Sequence, residues 1–156
     1  MIHDLNGLET TDFLEKIKEK FDVELKDKTL WKPEKKFEFG MYLDDNFYAL
    51  YFKGNILNDE NSLQNLDAQI LYDTILHPIL GIGDLRNDDR IDYISGKESF
   101  LVMKNQIDEG LFKVGFILYP TAIEEIKSIA NQNLIMPPKS TYIEPKFRCG
   151  LLIYEL

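Results

Sequence analysis

Residues 37–52 constrain this chain more tightly than any other stretch. Phe37, Phe39, Met41 and Leu43 alternate with Glu38, Gly40 and Tyr42, which is the period of a strand. Asp44-Asp45-Asn46 supplies a turn, and the aromatic run at 47–52 returns as a second strand. Around this hairpin the pattern changes to helical period. Phe13, Leu14, Ile17 and Phe21 lie on one helix face, with Thr10 or Thr11 as cap, and a short strand is expected over 21–25.

Leu63, Leu66, Ile70, Leu71, Thr74 and Ile75 mark a further helix that Pro78 kinks or ends. A short strand is expected at 91–94, and a helix over 97–108 stopped by Gly110. Residues 111–119 form an apolar strand. Thr121 and Glu124 form a capping box for a helix to about Asn131. The apolar end, 151–156, reads as a last strand, paired centrally. The simplest packing of these elements is an α+β fold, a mixed sheet with helices packed mainly on one face, in a single domain over 1–156.

Composition narrows the function classes. The chain of 156 residues is 44% hydrophobic and 29% charged, as globular domains are, with a formal net charge of −9. Affinity for nucleic acid comes mostly from Lys and Arg neutralising phosphates, so this balance disfavours DNA, RNA and anionic lipid as partners. No apolar run reaches the length of a membrane helix. Cys149 is the only cysteine, which fits a reducing, cytoplasmic location.

The most distinctive stretch runs from Met136-Pro137-Pro138-Lys139-Ser140-Thr141-Tyr142 to Ile143-Glu144-Pro145-Lys146-Phe147-Arg148-Cys149-Gly150-Leu151. It resembles the closing signature of the bacterial family catalogued as domain of unknown function 1015. Asp4-Leu5-Asn6-Gly7-Leu8, Glu38-Phe39-Gly40-Met41-Tyr42-Leu43, Leu80-Gly81-Ile82 leading to Arg90-Ile91-Asp92-Tyr93, and Tyr119-Pro120-Thr121 resemble the same family in the same order. The resemblance implies the C-terminal part of a longer protein, whose N-terminal part carries a Gly-His-His-Arg element not found here. That absent part is then an expected partner.

Candidate chemistry concentrates in the same stretch. Lys139, Lys146 and Arg148 bring three cations together, while Ser140, Thr141 and Tyr142 add hydroxyls suited to phosphate or carboxylate oxygens. Prolines restrict the backbone around them, which favours a pre-positioned site for a small anionic metabolite. The alternative is a rigid connector whose cations pair with neighbouring carboxylates. Arg90 and Asp92 are secondary candidates, within an acidic loop that could be salt-bridged or could hold a cation. No nucleophile–base pair, phosphate loop or zinc spacing occurs, so the motifs indicate no metal and leave the cofactor unknown. His77 reads as a helix-end residue and Cys149 as a small core residue. Two functions stand: one wall of an anion site in a larger enzyme, or a non-catalytic regulatory or assembly domain.

Overall fold

A computed structural model describes residues 1–54, 62–94 and 100–140. The hairpin predicted from the alternation is there. Strand β2 (Glu38–Leu43) turns at Asp44-Asp45 into β3 (Asn46–Phe52), with Leu43 opposite Asn46 and Glu38 opposite Tyr51. Both turn residues are left-handed, φ 46° and 61°, the conformation that matches the strands' own twist in a two-residue hairpin. Strand β1 (Phe21–Asp27) pairs with β3 and β4 (Val114–Leu118) with β2, giving the order β1-β3-β2-β4. The α+β class holds. Every described pairing is antiparallel, so the mixed character expected of the sheet does not arise among these residues.

Helices lie on both faces of the sheet, two of them on one. Helix α1 (Thr10–Lys18) and helix α2 (Asp67–Leu71), which widens into a π-helical turn at Tyr72–Leu76, cover the face carrying Phe39, Met41, Leu43 and Leu50. Helix α3 (Phe100–Asp108) covers the other, setting Met103 and Ile107 on Tyr42, Phe47 and Ile117. The cause lies in β2, which is buried along all six residues and needs cover on both sides. Gly115 makes the approach of α3 possible: a Cβ there would lie 2.5 Å from Met103 Sδ and 3.0 Å from Ile107 Cδ1. As expected, Gly110 ends α3, with φ 78° and its N–H donating to Ile107 O.

Smaller expectations shift. The first helix is capped by neither threonine; the Thr10 hydroxyl reaches Asp44 of the hairpin turn instead. The helix near 63–75 starts only at Asp67, since Leu66 is still extended. In place of a strand at 91–94 there is one bridge, Ile91 to Ile2, because the N-terminal segment also takes Val114 and occupies that position. Helix α4 (Ile123–Asn131) starts one residue later than the predicted box. Glu125, not Glu124, accepts the Ala122 N–H, and the Thr121 hydroxyl turns away to Ser140 O. The last expected strand, 151–156, lies outside the described residues.

Candidate functional site

Of the predicted anion loop, Lys139 and Ser140 lie within the described residues; Thr141, Tyr142, Lys146 and Arg148 lie outside them, as does Cys149. Beyond α4, Pro137 and Pro138 lead into a turn closed by the Ser140 hydroxyl, which donates to Pro137 O at 2.6 Å. Thr121 Oγ1 donates to Ser140 O at 3.0 Å and ties this turn to the N-terminal end of α4. Between these anchors Lys139 takes φ 59°, a left-handed conformation that turns the chain sharply. It forms no ion pair among the described residues. The helix N-terminus supplies a positive dipole end beside the loop, although Glu124 and Glu125 offset it.

Arg90 and Asp92 are occupied by the fold. The Arg90 guanidinium donates through Nε and Nη2 to Asp88, and through Nη1 and Nη2 to the carbonyls of Leu80 and Gly81. It thereby clips the turn that follows the π-helical segment to the acidic loop. Asp92 caps its own neighbour, accepting the Tyr93 N–H at 2.7 Å. His77 stacks on Tyr72 and lies 3.3 Å from Ile82 O, in keeping with a helix-end role. Among the described residues no group of His, Cys, Asp and Glu has the arrangement of a metal site, and no helix is long and apolar enough to cross a membrane.

Two polar clusters were not visible in the sequence. At the hairpin tip, Tyr42 has no exposed surface, and its one hydroxyl proton is shared between Asp108 at 2.6 Å and Asp45 at 3.1 Å. Burial, followed by the Asp108 bond, pushes its pKa up to about 12. Lys104 bridges Asp108 and Asp45, and Lys28 pairs with Asp45 at 2.9 Å. The Asp108 carboxyl is held below the usual range by Lys104 and Tyr42, and that of Asp45 by Lys28 and Tyr42. Burial would raise Asp44, but hydrogen bonds from Lys113 and Thr10 bring it below the usual value. These residues meet because Leu43 pairs with Val114, a contact that only the sheet topology creates. Asp44, Asp45, Asp108 and Lys113 border an open cavity of about 480 Å³, together with His3 and Phe112.

The second cluster pins the segment before β2. Asp67, buried at the start of α2, accepts the Phe37 N–H at 3.0 Å, and Glu38 accepts that of Glu34 at 2.9 Å. Burial pushes the Asp67 carboxyl up to about 6 against the lowering effect of that N–H. Lys36 pairs with Glu125 and so joins this segment to α4.

Comparison with curated proteins and with solved structures gives no match. A family model does match, over residues 1–69, which hold the stretches at 4–8 and 38–43 but not those at 80–93, 119–121 and 136–151. That model is described as a protein of unknown function (DUF1015), and residues 1–69 of the chain are similar to it.

Proposed function

We propose that this chain forms one wall of a site for a small anionic or phosphorylated metabolite, built on the loop that starts at Lys139. The observation that carries the reading is the double anchor of Ser140. Its hydroxyl bond to Pro137 O and the Thr121 bond to its carbonyl hold Lys139 in a fixed left-handed turn. A cation on a rigid turn, without an ion pair among the described residues, meets an anion at little entropic cost. Thr141, Tyr142, Lys146 and Arg148 would complete the donor set. The chemistry offered is binding and charge neutralisation; the reacting groups would come from the rest of a longer protein. Thermal-shift screening against phosphorylated metabolites tests it, with a longer family member run in parallel with this chain. A ligand that stabilises the parent and not its Lys139→Ala variant supports the reading.

One observation favours a second reading, a regulatory or assembly domain that docks on the absent part. Ile123, the first residue of α4, and Ile135, beyond its end, are 60% and 76% exposed. Large apolar side chains left in water mark contact surfaces more often than ligand sites. Neither reading needs nucleic acid or a membrane.

A further inference from the structure

The cavity at the hairpin tip offers a different chemistry from the Lys139 loop. Its floor is apolar and aromatic: Phe112 is buried, and the His3 ring lies over it with centroids 4.3 Å apart. Its walls carry three carboxylates, Asp44, Asp45 and Asp108, with Lys113 beside them. Each carboxylate is already matched by a lysine: Asp44 by Lys113, Asp45 by Lys28 and Lys104, and Asp108 by Lys104. Three acids and three bases leave the cluster formally neutral.

The carboxylates are also oriented by hydrogen bonds from the fold. Tyr42, fully buried, fixes Asp45 and Asp108 from behind, and Thr10 fixes Asp44. A carboxylate can accept about four hydrogen bonds, so acceptor capacity remains at each after these contacts. The Lys113 ammonium keeps donors beyond its bond to Asp44.

These features select a ligand by exclusion. An anion would face three carboxylates, and a cation would have to break an existing ion pair to gain one of its own. A neutral molecule bearing several hydroxyls does neither. Its O–H groups donate to the fixed carboxylates, an oxygen accepts from Lys113, and its C–H face rests against the His3 ring. The volume, about 480 Å³, lies in the range of small-molecule sites. We propose that the cavity between the β2–β3 turn, the end of α3 and the N-terminal segment binds a neutral, polyhydroxylated small molecule of sugar or cyclitol type. Charge alone would not make this a site; the combination of cavity, aromatic floor and balanced, hydrogen-bonded polar walls does.

The test is amide chemical-shift mapping of the 156-residue chain titrated with D-glucose and with myo-inositol, and separately with inorganic phosphate and putrescine. The expected result is saturable shifts at His3, Asp44, Gly110, Phe112 and Lys113 with either polyol, at millimolar affinity, and none there with phosphate or putrescine. His3→Ala acts at an exposed position and Lys113→Met at a half-buried one; both retain a dispersed spectrum and weaken polyol binding by about tenfold each. Absence of polyol shifts up to roughly 100 mM overturns the proposal, at an affinity too weak to be specific. Unchanged binding in both variants, or a larger response at these amides to phosphate or putrescine, does the same.

Discussion

The hydroxyl of Tyr42 reaches Asp108 across 66 residues of sequence, and from 0% exposure it holds the end of α3 to the central strand. Hydrogen bonds to charged acceptors contribute about 1.5–3 kcal/mol each, and their loss inside a fold costs most. Tyr42→Phe removes both bonds, while Lys104 still neutralises Asp108 and Asp45. A stability loss of about 2 kcal/mol is expected, measured by urea unfolding at neutral pH. No loss would show that the hydroxyl is not bonded as described.

Asp67 predicts a pH dependence of definite sign. Its carboxyl is raised to about 6 in the fold, above its usual 3.8, so the protonated form is the one the fold favours. That contribution is complete below about pH 4 and is lost as pH rises through about 6. Asp67→Asn keeps an acceptor for the Phe37 N–H and cannot ionise. The variant should match the parent near pH 4 and exceed it near pH 7 by about 1–3 kcal/mol. Equal differences at both pH values would contradict the burial that causes the shift.

Gly115 sits under α3 with no room for a methyl group. Gly115→Ala should cost about 1–3 kcal/mol through overpacking against Met103 and Ile107. Because Met103 is flexible and is the nearest obstacle, Met103→Ala in the same chain should recover part of the loss when the variants are compared by thermal unfolding. Strictly additive losses would argue against this contact.

Arg90 acts as a structural clip. Lysine keeps the charge but cannot reproduce a fork that engages one carboxylate and two carbonyls. Arg90→Lys should therefore lower stability by about 1 kcal/mol, the guanidinium being partly exposed. Phosphate binding at the Lys139 turn should be unchanged.

How much of this was legible in the sequence follows from where the determining contacts lie. The hairpin was readable because alternation and turn residues act over neighbours, and the end of α3 because Gly110 needs a left-handed backbone. The cover of both sheet faces was not readable from β2. Gly40, Tyr42 and Glu38 look like an outward face until α3, Trp31 and the Lys35 segment are brought over them. The capping box slipped by a residue because Thr121 found a tertiary acceptor in Ser140, which local spacing cannot weigh. The loop at 139–148 was singled out by its prolines and cations. The hairpin-tip cluster was missed because His3, Asp44, Asp108 and Lys113 meet only through the pairing of β2 with β4 and with the N-terminal segment.

The proposed anion site is tested most directly by titrating the 156-residue chain with inorganic phosphate while following the amide resonances of Thr121, Lys139 and Ser140. The account predicts saturable shifts at these three positions that vanish in Lys139→Ala, whose spectrum elsewhere is unchanged. Shifts that are absent, or that persist at full size without the Lys139 ammonium, would contradict it.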